Sequence, residues 1–222
     1  MLKARKNLKR REIQEDTITV YYRRVSTFLR THSRNVQIGL MALVVVLVVL
    51  MLMARSKRQA ESTAASQLGI VENYLYMGQQ EVAIPELENI AETFEGTIAA
   101  GQAVFHLAKI HHDKSDYENA ELYYRQYLSQ YKTDPLYTAA AMAGVAACYA
   151  HREMFEEAAQ WYEKAWDRDT QGFNAAFYLE NAAIHYKLAG NTEKSRWAYE
   201  TIVKDYSQST VAARAEYLME TL

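Results

Sequence analysis

The sequence predicts an all-α protein: a single transmembrane helix, then an α-solenoid of about four helix pairs, then a C-terminal capping helix. Three observations lead there. Residues 36–54, VQIGLMALVVVLVVLMLMA, carry no charge. The chain has only two prolines, and after residue 60 no strand-like alternation bounded by turn residues appears. The hydrophobic pattern of that region also recurs, at spacings of 37, 38 and 37 residues.

The uncharged run spans the hydrocarbon core of a bilayer, because a helix rises 1.5 Å per residue and the core is about 30 Å thick. Ten basic residues precede it, from Lys3 to Arg34, while only Arg55, Lys57 and Arg58 follow closely. The positive-inside rule then places residues 1–35 in the cytoplasm and the C-terminal region across the membrane. A cleaved signal peptide is the lesser reading, since Arg55-Ser-Lys-Arg stands where a small-residue cleavage site would sit. Within the head, Asp16 reads as an N-cap, and Ile18, Tyr21, Tyr22, Val25, Phe28 and Leu29 recur at helical spacing. Tyr21, Tyr22 and Phe28, with Arg23, Arg24, Arg30 and Arg34, are the expected membrane-interface residues: rings toward the acyl boundary, arginines on anionic headgroups. Such a helix either steadies the anchor or serves as a docking site.

Charge divides the chain at the same place. Residues 1–58 hold 13 basic and 3 acidic residues, and residues 59–222 hold 12 basic and 24 acidic. An acidic C-terminal region argues against nucleic acid as a partner. The lone cysteine, Cys148, sits among alanines in GVAACYA and reads as a buried small hydrophobe.

Four segments of the C-terminal region align on a small residue, Ala83, Ala120, Ala158 and Ser195, followed four positions later by Leu87, Tyr124, Tyr162 and Tyr199. Twelve residues before each anchor lie Val71, Ala108, Ala146 and Ala183, and three further on come Tyr74, His111, Tyr149 and Tyr186. Small residues let two helices approach, and aromatics fill the space between successive pairs. Gly78 and Gly190 fall where the first helix of a pair must end. This small–aromatic pattern resembles the tetratricopeptide repeat over roughly residues 63–207, although these repeats exceed the usual length of about 34 residues. The linkers QYKTDPLYTAAAMA and KDYSQSTVAARAEY look like those of bacterial envelope members. With a basic head and one span, the layout resembles the YfgM family. That resemblance implies an inner-membrane protein, its repeats in the periplasm, accessory to the Sec translocon and in contact with chaperones.

The domains expected are therefore a basic head at 1–35, the span at 36–54, a stalk or continuous helix at 55–65, and the repeats at 66–222. Ser209 or Thr210 is the expected N-cap of the closing helix. Pro85, inside the second helix of the first pair, predicts that this helix starts late or kinks.

Catalytic and cofactor motifs are missing from the sequence: it has no phosphate-cradling glycine loop, no GxSxG and no HExxH. His106, His111, His112 and Asp113 cluster at one helix end, but 106 to 111 misses the i, i+4 spacing of helical metal pairs, and His111 occupies a packing slot. No enzyme, cofactor or metal is expected.

Binding remains, and the register indicates its lining: the face of each first helix turned from its partner. These residues are Leu68, Glu72, Leu75 and Tyr76, then Gln102, Phe105, Lys109 and His112, then Ala140, Ala143, Ala147 and His151, then Phe177, Glu180, Ile184 and Lys187. Alanines in the third repeat leave a recess suited to a helix or an extended segment with apolar side chains. Self-association could cover the same face. The Lys and Asn pattern that clamps a terminal carboxylate is absent. Tyr124, Tyr127 and Tyr131 follow the core stripe, whereas Tyr117, Tyr123, Trp161 and Trp166 are candidates for greater exposure. The expected function is a scaffold tethering translocon subunits, chaperones or secreted clients at the periplasmic face of the inner membrane. The alternative is a scaffold for division, peptidoglycan or outer-membrane assembly.

Overall fold

The computed structural model describes residues 17–132 and 134–222, and the chain divides between Ser56 and Lys57 into two compact units. Asp16 and the basic residues before it lie outside the described residues.

The first unit holds α1 (Thr17–Thr31) and the start of α2 (Ser33–Tyr76). Only His32 separates the two helices. Its N–H donates to the Phe28 carbonyl at 2.9 Å, its carbonyl accepts from Val36 at 2.9 Å, and its ring stacks on Phe28. Tyr21, Tyr22, Val25, Phe28 and Leu29 are all exposed on α1. So is every residue of α2 from Gln37 to Gln59. An apolar helix of this length with nothing packed on it has the length and composition to cross a membrane, and differs in that respect from the buried helix of a soluble core. Residues 55–65 are helical, part of α2.

From Lys57 onward α2 is the first helix of a stack. It is followed by α3 (Gln80–Thr93), α4 (Ile98–Asp113), α5 (Tyr117–Gln130), α6 (Pro135–His151), α7 (Phe155–Arg168), α8 (Ala175–Leu188), α9 (Thr192–Asp205) and α10 (Ala212–Glu220). Among the described residues the chain is helical and holds no strand. Pairs α4–α5, α6–α7 and α8–α9 form helix-turn-helix repeats, α2 and α3 form a first one through the shared core of Leu68, Val71, Ala83 and Leu87, each pair is called here A then B, and α10 closes the stack against α9. The anchors explain the pairing. Ala83, Ala120, Ala158 and Ser195 have no exposed surface, and neither have Ala108, Ala146 and Ala183 facing them. Leu87, Tyr124, Tyr162 and Tyr199 then fill the gap to the next pair, all at least nine-tenths buried. Tyr127 and Tyr131 are buried as the stripe predicts. Cys148 is buried too, which pushes its thiol up to about 11 and leaves it unreactive at neutral pH.

Every A helix ends in the same device. The N–H of the third residue beyond the helix closes a six-residue turn, and its predecessor closes a shorter loop inside it. The pairs are Gln79 to Tyr74 and Gly78 to Leu75, Asp116 to His111 and Ser115 to His112, Met154 to Tyr149 and Glu153 to Ala150, and Asn191 to Tyr186 and Gly190 to Lys187. This is the Schellman pattern, which needs a left-handed residue at its corner. Gly78, Ser115, Glu153 and Gly190 take that conformation, at φ 73°, 60°, 58° and 82°.

Two local expectations are corrected. Pro85 does not delay α3, which begins at Gln80 and runs 14 residues like α5, α7 and α9. Pro85 is the sixth residue of α3, so its missing N–H forgoes one bond, to the Glu81 carbonyl near the helix start, and the helix continues past it. The residue capping α10 is Val211, without a side-chain bond, rather than Ser209 or Thr210.

Candidate functional site

The starts of α4 and α6 are fixed by side chains that accept from the leading N–H groups. Thr97 Oγ1 accepts from Ala100 at 3.1 Å, and Asp134 accepts from Leu136 at 2.8 Å with Pro135 set at the first position. For α4 the carboxylate of Glu61 adds bonds from Ile98 N at 2.8 Å and Ala99 N at 3.2 Å. With ends held this way, the outward A-helix positions form four rows across the stack.

The structure separates the expected lining residues into three groups. Glu72, Tyr76, Lys109, His151, Phe177 and Lys187 are exposed; Tyr76 keeps 92% of its surface and Phe177 52%. Leu75, Gln102, His112, Ala140, Ala143, Ala147 and Ile184 are half-buried. Leu68 and Glu180 are not available: Leu68 lies in the core with Val71 and Leu87, and Glu180 is 1% exposed. Phe105, though half-buried, is committed to packing. Its ring meets Tyr124, Tyr127 and Tyr137 edge-on at 5.8, 5.9 and 5.1 Å.

Glu180 is covered by a residue outside the expected set. Arg214 of α10 donates through Nε and Nη2 to both carboxylate oxygens, a bidentate pair. Lys187 Nζ likewise donates to the Thr221 carbonyl at 3.3 Å. The signal for this was in the register. Ala103, Ala141, Tyr178 and Ala215 share one position and are all buried, so α10 is the A helix of a further half-repeat and its residues reach back over α8.

Histidines disperse among separate partners. His106 pairs with Glu72 at 3.4 Å, and His111 Nδ1 bonds Asp116 at 2.8 Å while stacking on Tyr123. His112 stands edge-on to Tyr117 and to His151, and Tyr117 stacks on His151 at 4.0 Å. Burial lowers the pKa of His106 and of His112, and His151 lowers that of His112 further. Tyr117, Tyr123, Trp161 and Trp166 are half-buried. Trp161 is flanked by Arg125 and Lys164, at 5.2 and 4.3 Å from its ring, and Arg125 also reaches Tyr149 on α6. Glu121 bonds both Arg125 and Arg152, so this surface locks the second repeat to the third.

No protein-family model and no curated protein matches the sequence. Solved structures do match. The nearly identical TPR-like repeats of a putative kinesin light chain from Podosopora anserina align at TM-score 0.56 and 15% identity, covering 72% of this chain and 84% of that one. A singly substituted form of that protein aligns at TM-score 0.57. The N-terminal domain of stress-induced protein-1 from C. elegans aligns at TM-score 0.47 and 16% identity, over 55% of this chain and 95% of that one. The fold of the second unit is accordingly a tetratricopeptide-like α-solenoid, preceded by one long apolar helix.

Proposed function

We propose that this protein is a non-enzymatic, membrane-anchored interaction scaffold whose A-helix face receives a protein segment. One observation carries the reading: Phe177, Glu72, Lys109 and Lys187 stand open on the face turned away from the B helices, beside half-buried alanines of the third repeat. An apolar side chain with charges of both signs beside small residues suits a helix or an extended segment that presents apolar side chains at intervals. The span confines that face near one site in the membrane, where effective concentrations reach about millimolar and weak binding suffices.

The excess of basic residues before the span supports a cytoplasmic head, and with it repeats on the periplasmic side of an inner membrane. There the partner is a translocon subunit, a chaperone or an emerging secreted chain. Photocrosslinking in intact membranes tests this, from position 177 on the face and from exposed Glu157 on α7 as control. Translocon, chaperone or nascent-chain adducts from 177 alone support the proposal. Adducts to wall or outer-membrane machinery transfer the protein to envelope assembly, and self-adducts alone make the face an oligomer interface.

A further inference from the structure

Ile98, Leu136 and Phe173 occupy one register position, 38 and 37 residues apart, each where a B helix hands over to the next A helix. All three are open, at 64%, 50% and 98% of their surface. Ile98 and Leu136 are the first and second residues of α4 and α6, and Phe173 lies just before α8, so all three stand at helix starts that face water, where polar residues are the rule. Here large apolar residues recur at three successive turns. Consecutive helices joined by short turns run antiparallel, so all B-to-A turns gather at one end of the stack and all A-to-B turns at the other. The three side chains therefore form an apolar rim along one edge.

The position corresponding to Ile98 in the first repeat is Glu61, whose carboxylate is bonded to the Ile98 and Ala99 N–H groups. Glu61 lies seven residues beyond Ala54, the last residue of the uncharged run. That length of chain reaches at most about 25 Å even when fully extended. The rim thus starts within a short tether of the apolar run. The opposite edge also exposes Tyr76, Met77, Met154 and Leu188, though not at one position in three successive repeats, and charge separates the two edges. Counting each turn with the residue before it and the two after, the rim with residues 57–61 holds Lys57, Arg58, Lys132 and Arg168 against Glu61, Glu95, Asp134, Asp169 and Asp205. The opposite turns hold Lys114 and Arg152 against Glu81, Asp113, Asp116, Glu118, Glu153, Glu156 and Glu193. An anionic surface repels the second edge and tolerates the first.

We infer that the B-to-A edge rests on the lipid surface, with Ile98, Leu136 and Phe173 entering the headgroup layer. Three short apolar contacts bind a bilayer weakly, but the tether supplies the local concentration that holds them there. Docking fixes the repeat stack against the membrane and keeps the A-helix face at a set height.

The inference rests on α2 being a membrane anchor, and the test separates the two. The full chain, in a Cys148→Ala background, is reconstituted in vesicles of phosphatidylethanolamine and phosphatidylglycerol carrying lipid-borne spin quenchers. Single cysteines bearing an environment-sensitive fluorophore are placed at Lys132 and Gln171 beside the rim, at Gln79 and Leu188 on the opposite edge, and at Val45 in the span. Rim labels are expected to be quenched, opposite-edge labels not, and the rim quenching to be lost in Ile98→Ser/Leu136→Ser/Phe173→Ser with helicity unchanged. Rim quenching that survives the triple substitution reflects nearness alone and overturns the inference. So does rim burial that tracks protein concentration in detergent, which assigns the edge to a second copy. A quenched Val45 with unquenched rim labels overturns the docking alone, while an unquenched Val45 removes the anchor beneath it.

Discussion

The outer repeats and the inner repeats make the same A-to-B turn with different residues. Repeats one and four place glycine at the left-handed corner, Gly78 and Gly190, whereas repeats two and three place Ser115 and Glu153 there at nearly the same φ. The inner repeats use glycine elsewhere. A methyl on Gly101 would meet the Tyr131 side chain at 2.8 Å, and one on Gly144 would meet the Tyr124 ring at 2.4 Å. Glycine thus supplies backbone freedom at the ends of the stack and space for tyrosines in its middle. The comparison teaches that a repeat fold is specified by hydrogen-bond pattern and packing volume, and that residue preference yields wherever those two agree.

The comparison extends to the last pair, where Arg214 and Glu180 close a face that the inner repeats leave open. Arg214→Met would strand a buried carboxylate and cost about 3 kcal/mol, read as a lower urea midpoint and earlier proteolysis of α10. An unchanged midpoint would mean that water reaches Glu180 without the arginine.

Next in size is the glycine that makes space. Gly144→Ala should destabilise by about 1–3 kcal/mol through overpacking against Tyr124. Combining it with Tyr124→Leu should cost less than the two single changes added, a coupling that a double-mutant cycle measures. Strict additivity would remove the packing role assigned to Gly144.

The corners give smaller effects of opposite sign. Gly190→Ala should lose about 1 kcal/mol, since a side chain is disfavoured in the left-handed region. Ser115→Gly and Glu153→Gly should each gain up to about 1 kcal/mol, less the entropy glycine carries in the unfolded chain. Thermal melts of these three variants beside the native chain compare outer and inner turns directly.

Acid sensitivity is the last prediction. The folded-state pKa values of His106 and His112 lie below 6.5, chiefly through burial, so the unfolded chain takes up protons first as pH falls. Stability from these groups is complete above about 6.5 and declines as pH falls from there toward their folded values. Glu121 lies below 4.5 because Arg125 and Arg152 outweigh its desolvation, and its contribution is lost at still lower pH. His112→Gln should flatten the upper part of that decline in urea titrations. A profile unchanged from the native one would place the acid response elsewhere.

Much of this was legible from spacing. Ala83, Ala120, Ala158 and Ser195 announced the repeat because two helices can cross closely only over small side chains, and Tyr124, Tyr127 and Tyr131 announced the core because they follow one helical face. The candidate site was less legible. Leu68 and Phe105 share a register position with Ala143 and Glu180, yet one is core, one packs in an aromatic cluster and one is sealed by an ion pair. A register states which way a side chain points from its own helix, and it is silent about what the neighbouring helix brings to meet it.

By itself, the sequence determined the class of the protein: a helix apolar enough to cross a membrane and a four-pair helical stack, since helical periodicity and hydrophobic length act locally along the chain. Only the tertiary structure decided that α10 caps Glu180, that serine and glutamate can hold a left-handed corner, and that Ile98, Leu136 and Phe173 share one exposed edge. The first and the last depend on residues 34 to 38 positions apart coming side by side once the helices have packed, and the second on turn bonds that offset the left-handed strain of a side chain.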